Sequence, residues 1–152
     1  MSSFFETLEG ELNWVRTKTP ELSPFKNKPT DPDKYTWKVM LRPTQESLLK
    51  IMDLQAKGIK NKLGKDERGY TINFNRPTER LEAKTGKVLE KFEAPKVLKS
   101  DGFTELNELV GNGSKGFVKV EVYEHAIKGG GKGHAARLDS IMVTELVPYE
   151  SN

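Results

Sequence analysis

A mainly β fold, a small barrel or sandwich with one helix and long loops, is what this sequence predicts. Three observations lead there. Short runs alternate apolar and polar residues with period two, turn residues separate those runs, and only one stretch has helical periodicity. Nothing recurs at the period of about 20–50 residues that marks solenoids and propellers.

Taken in order, Gly10-Glu11-Leu12-Asn13-Trp14-Val15-Arg16 reads as a first short strand. Residues 17–34 then hold four of the eight prolines, Pro20, Pro24, Pro29 and Pro32. Proline cannot donate to a ladder, so this segment is expected to be a proline-rich loop or an extended edge. Residues 35–42 alternate, with Tyr35, Trp37, Val39 and Leu41 on one side and Lys38 and Arg42 on the other. Pro43 ends that strand. Thr44 then suits the N-cap of a helix whose apolar stripe is Leu48, Ile51, Met52 and Ala56, with Gly58 as the stop.

Residues 57–68 form a Gly- and Lys-rich connection, and period two resumes at Tyr70-Thr71-Ile72-Asn73-Phe74-Asn75. Lys84-Thr85-Gly86-Lys87 and Ser100-Asp101-Gly102 look like turns. The clearest strand is 117–125, where Val118, Val120 and Val122 share one face and Phe117, Lys119, Glu121, Tyr123 and His125 the other. A last strand covers 137–147, and residues 126–135 read as a flexible Gly-rich hairpin before it.

At 152 residues the chain suits one domain spanning 1–152. Apolar residues make up 35% and charged residues 31%, enough of a core to fold. With no cysteine, disulfides and thiolate metal sites are excluded, and a zinc site on His125 and His134 would need carboxylate help. No cofactor or metal is expected. The sequence has no apolar run of membrane-spanning length and no signal-peptide pattern at Met1-Ser2-Ser3-Phe4-Phe5-Glu6, so a cytoplasmic location without a membrane partner is expected. Charge is unevenly placed: residues 56–99 carry 12 Lys or Arg against 6 Asp or Glu, whereas residues 100–152 carry 5 against 8. The basic middle is the part suited to a polyanion.

Gly111-Asn112-Gly113-Ser114-Lys115-Gly116 matches the G-x-G-x-x-G spacing of dinucleotide sites. That chemistry needs a helix N-terminus after the glycines, because helix amides hold the pyrophosphate. Here a β-branched strand follows instead. Gly129-Gly130-Gly131-Lys132-Gly133 lacks the G-K-[ST] ending of a phosphate loop. Asp33 with Glu82-Ala83-Lys84 imitates the acidic pair and lysine of metal-dependent nucleases, the enzyme alternative. An ordinary surface ion pair explains Glu82 and Lys84 as well.

A third pattern interleaves aromatic and basic residues on strands: Trp14 with Arg16, Trp37 with Lys38 and Arg42, Tyr70 and Phe74 with Arg76, and Phe117, Tyr123 and His125 with Lys119. Unpaired nucleic acid offers flat bases and a charged backbone, so its groove needs stacking platforms flanked by cations. Trp37 and Phe74 share faces with aliphatics and are expected in the core.

Asn107-Glu108-Leu109-Val110-Gly111-Asn112-Gly113-Ser114, then Val118-Lys119-Val120, a glycine-containing hairpin, and residues 136–147 (ARLDSIMVTELV) resemble the C-terminal half of the single-stranded DNA-binding proteins of tailed, T7-like bacteriophages. Lys96-Val97-Leu98-Lys99-Ser100-Asp101-Gly102 resembles the strand and turn before it. The resemblance is specific over 96–149 and holds by strand order before that. It implies an OB-fold, a five-stranded Greek-key barrel, and a non-enzymatic protein that coats and protects single-stranded DNA during phage replication and recombination. Two departures stand out. The family often carries a long acidic C-terminal tail that recruits replication partners, whereas this chain stops at Tyr149-Glu150-Ser151-Asn152. Where relatives commonly place an aromatic near the end of the fourth strand, this chain has Tyr123-Glu124-His125.

The expected site therefore stacks bases on Phe117, Tyr123, His125, Trp14 and Tyr70. Phosphates are expected on Lys119, Arg137, Lys128, Lys132, Lys38, Arg42, Arg16 and Arg76. Single-stranded DNA is the expected partner, with an RNA-binding module as a further alternative and replication or recombination proteins or a second copy of the chain as other partners. If the chain is phage-encoded, its location is the infected host cell.

Overall fold

The computed structural model describes residues 3–22, 35–59, 61–77, 79–81, 85, 88–106, 108, 110–126 and 132–148. At 16–22, 35, 36, 77, 79–81, 88–90, 125, 126 and 132 it describes the backbone alone. Among these residues are nine strands and one helix: β1 (Ser3–Leu22), β2 (Tyr35–Pro43), α1 (Gln45–Ala56), β3 (Leu63–Asp66), β4 (Gly69–Pro77), β5 (Glu79–Leu81), β6 (Val88–Lys91), β7 (Lys96–Leu98), β8 (Ser114–Ala126) and β9 (Lys132–Glu145).

Seven strands form one sheet in the order β3-β4-β2-β1-β8-β9-β7, and β5 and β6 form a separate ribbon. All pairings are antiparallel except β7 with β9. β1 joins the two halves: residues 3–12 pair with β8, and residues 10–22 pair with β2. The sheet is not closed by a backbone ladder between β4 and β9. Side chains bridge them instead. The Asn61 amide donates to Asn73 O at 3.3 Å and Ala136 O at 3.2 Å and accepts from Ala136 N–H at 3.0 Å, while Arg76 Nη1 donates to Leu138 O at 3.2 Å.

Period-two alternation supplies the core. Leu8 and Leu12 of β1, Val39 and Leu41 of β2, Ile72 and Phe74 of β4, Val118, Val120 and Val122 of β8, and Leu138, Ile141 and Val143 of β9 are buried together with Ile51 and Leu54 of α1. Burying each of these side chains stabilises the fold by about 1.5–3 kcal/mol relative to exposure. Trp37 is also buried, as its face predicts.

The expected bounds of the first strand change. β1 is far longer than residues 10–16, because 3–9 add to β8 and 17–22 continue beside β2. Pro20 falls inside a register shift between Arg16 and Glu21, where no amide has to be donated. Residues 23–34 of the expected proline-rich loop lie outside the described residues, as do 127–131 of the Gly-rich hairpin, although β8 and β9 pair through Ala126 and Lys132 on either side.

The helix begins as expected, with Thr44 Oγ1 accepting from Ser47 N–H at 3.3 Å and Glu46 in the first turn. Its buried face is Ser47, Ile51 and Leu54, however, and Met52 and Ala56 are exposed. The cause is a hydrogen bond: Glu9 N–H of β1 donates to Ser47 Oγ at 2.7 Å, fixing the rotation of the helix and giving a polar residue a reason to be inside. Gly58, with φ 97°, follows the end of the helix.

Candidate nucleic-acid interface

The Gly111 to Gly116 cluster is a strand start. A Cβ on Gly111 would lie 2.5 Å from Pro148 O, and one on Gly116 would lie 2.1 Å from Met142 O, while Gly113 has φ 93°. Two glycines are therefore required by neighbouring backbone and the third by a left-handed turn. The amides are already engaged: Gly111 N–H donates to Val147 O at 2.8 Å, Gly113 N–H to Leu12 O at 3.2 Å and Ser114 N–H to Gly111 O at 3.3 Å. None of these three is left to cradle a phosphate. Of the second cluster, residues 129–131 lie outside the described residues, and Gly133 pairs with His125 in the ladder.

On β8, the residues opposite the valines meet those of β1 and β9. Register sets Phe117 beside Glu9 and Met142, Lys119 beside Thr7 and Ser140, Glu121 beside Phe5 and Arg137, and Tyr123 beside Ser3 and Ala135. Successive pairs are about 6.7 Å apart along the strand, so Phe117 and Tyr123 span about 20 Å. Lys119 Nζ lies 4.6 Å from the centroid of Phe5, which is 52% exposed. Farther along, the Arg137 guanidinium lies 4.8 Å from the Tyr123 ring and 4.6 Å from the Phe92 ring, and Arg76 lies 5.2 Å from Phe92. Tyr123, Arg137 and Arg76 are thus brought together with Phe92, which no periodicity in the sequence singles out. Tyr123 and Phe117 are half-buried.

Charge on this face is partly balanced within the chain. Arg137 Nη2 donates to Glu121 Oε1 at 2.7 Å, and that hydrogen bond holds the Glu121 carboxyl below its usual range against the opposing effect of burial. Arg76 gives Nε to Glu93 O at 2.7 Å in addition to its bond to Leu138 O.

The other group of expected residues lies around β1, β2 and the β3–β4 hairpin. Arg42 makes a two-pronged pair with Asp66 at 2.7 and 2.9 Å, which raises the Arg42 pKa and drives the Asp66 carboxyl far below its ordinary value. Arg68 joins them, donating its backbone N–H to Asp66 and its Nη2 to Glu11 at 2.8 Å. A phosphate approaching Arg42 must compete with Asp66. Tyr70 is exposed, with Lys65 Nζ 5.2 Å from its ring. Trp14 is 56% exposed, and the β1–β2 register places it between Asn13 opposite Met40 and Arg16 opposite Lys38.

The side chains of Arg16, His125 and Lys132, and all of Lys128, lie outside the described residues. So do Asp33, Glu82 and Lys84 of the nuclease pattern. Among the described residues, no group of three His, Asp or Glu is placed to hold a metal ion, and no helix is long and apolar enough to cross a membrane.

The molecule thus has a mainly β fold whose long strands lie in the order β4-β2-β1-β8-β9, with one helix after β2. No protein-family model matches the chain, and no curated protein matches its sequence. Solved structures do. The fold is similar to that of gp2.5, a single-stranded DNA binding protein encoded by bacteriophage T7, at 17% identity over 99% of this chain and 91% of that chain, with a TM-score of 0.61. It is also similar to a C-terminally truncated single-stranded DNA-binding protein from bacteriophage Enc34, at 14% identity over 96% and 88% of the two chains, with a TM-score of 0.60.

Proposed function

We propose that this protein binds single-stranded DNA without strong sequence preference, coating and protecting it during phage replication and recombination, and that it is not an enzyme. The observation that carries this reading is the likeness of almost the whole chain to two phage proteins whose names describe single-stranded DNA binding. In the finer reading of the fold, β1, β2, β4, β8 and β9 are the five strands of an OB barrel whose last seam is bridged by Asn61 and Arg76.

The exposed side of β1, β8 and β9 has the chemistry an unpaired strand needs. Phe117, Tyr123 and Phe5 offer ring faces at strand spacing, and Lys119 and Arg137 lie against rings where they also meet phosphates. Trp14, Tyr70 and Lys38 add contacts on β1, β2 and the β3–β4 hairpin, and Arg16, His125, Lys128 and Lys132 belong to the proposed contact set on the sequence pattern alone. Arg42 and Arg76, tied to Asp66 and to backbone carbonyls, act first as pins of the sheet and second as cations. Binding only the unpaired form removes hairpins by mass action, with no nucleotide hydrolysis.

A gel-shift assay with magnesium tests this. Oligo-dT should shift and remain intact, with Tyr123→Ala or Phe117→Ala weakening the complex by about 1–3 kcal/mol. Cleavage of the oligonucleotide, abolished by Glu82→Gln, would replace this reading with the nuclease. Preference for oligo-U over oligo-dT would replace it with an RNA module.

A further inference from the structure

Trp14 is the one non-glycine with positive φ among the described residues, at 51°. Its surroundings define a bulge: β1 pairs Asn13 with Met40 and next Arg16 with Lys38, so Trp14 and Val15 face Val39 alone. A bulge whose first residue is left-handed normally takes glycine, because a Cβ is disfavoured there. Here the position holds the bulkiest side chain instead, and that side chain is exposed.

Two asparagines hold this conformation. Trp14 N–H donates to Asn112 Oδ1 at 2.8 Å, across 98 residues of sequence, and Gly113 N–H donates to Asn13 Oδ1 at 3.2 Å. Asn13 is 6% exposed, and its Nδ2 finds no acceptor among the described residues. Backbone strain and a buried amide are thus both tolerated at one spot, and a strained residue that displays an aromatic ring points to function. Burying apolar surface is not the reason, since the ring stays in solvent.

We propose that Asn112 is a positioning residue: its side-chain oxygen, by accepting the Trp14 amide, locks the left-handed bulge and presents the indole as a stacking platform for an unpaired base. This rests on the single-stranded DNA reading above. Asn112 itself need not touch DNA. The Asn112–Trp14 bond then explains why a residue in the turn before β8 bears on a surface formed by β1.

A double-mutant cycle on the full chain with oligo-dT tests it. Trp14→Ala should raise Kd about five- to hundredfold, Asn112→Ala should raise it severalfold, and the double variant should bind no more weakly than Trp14→Ala alone. With Trp37→Phe as background, Trp14 is the sole indole, and its fluorescence should be quenched by oligo-dT in the parent, much less in Asn112→Ala, and again in Asn112→Asp, which keeps the acceptor. Losses that multiply in the double variant, or quenching unchanged by Asn112→Ala, would overturn the proposal. So would full affinity in Trp14→Ala, and that result leaves single-strand binding standing. A parent that ignores oligo-dT overturns both readings.

Discussion

Replacing Gly116 by alanine tests whether the glycine cluster serves the strands. Gly116 lies in β8 with Gly10 of β1 on one side and Val143 of β9 on the other, and an added Cβ would come within 2.1 Å of Met142 O. Carbon–oxygen contacts settle no closer than about 3.3 Å, so β9 must retreat by about 1 Å. Crowding of that kind costs about 1–3 kcal/mol, and two stretched ladder bonds add about 1 kcal/mol each. The expected loss is about 3–5 kcal/mol, and since a chain of this size drops about 2–4 °C per kcal/mol, Tm should fall by about 6–20 °C. Gly113→Ala is the control: its φ is 93° but the nearest atom is Val147 Cγ2 at 3.9 Å, so only backbone strain of about 1–2 kcal/mol is added. Thermal melts followed by circular dichroism measure both. If Gly116→Ala melts within about 2 °C of wild type, the close approach of β9 is not what requires this glycine.

Three further outcomes are expected. Asp101 accepts from Phe103 N–H, Thr104 N–H and the Thr104 hydroxyl, and these bonds lower its pKa to about 2. A folded-state pKa below the unfolded value of about 3.9 means that the stabilisation is complete above that pH and disappears as pH falls toward 2. The difference in urea midpoint between wild type and Asp101→Asn should therefore shrink between pH 5 and pH 2. Glu121→Gln removes the carboxylate held by Arg137, so oligo-dT should bind more tightly and log K against log salt should steepen by about 0.7. Asn61→Ala removes the bridge between β4 and β9 and leaves Ala136 N–H unpaired, so stability should fall by about 1–3 kcal/mol, with faster amide exchange concentrated at Ala136.

The parts of the fold that were legible are those decided locally. Val118, Val120 and Val122 share one parity, so β8 and the position of Phe117, Lys119 and Tyr123 opposite them follow from period two alone. Pro43 and Thr44 likewise mark the start of α1. What remained hidden depends on distant partners. Ser47 looks like a surface residue until Glu9 N–H is placed on it, and Met52 looks like core for want of that bond. Arg42 and Asp66 are 24 residues apart, so the sequence shows a cation available to DNA where the fold shows an ion pair. The bulge at Trp14 had no glycine to announce it, because Asn112, 98 residues away, does the holding.

Titration of labelled oligo-dT and its duplex at two salt concentrations tests single-strand binding most directly. Binding to oligo-dT should be tighter than to duplex, with affinity falling as salt rises by a slope of about −0.7 per phosphate contacted. Equal affinity for both forms, or an affinity for oligo-dT that salt leaves unchanged, would contradict it.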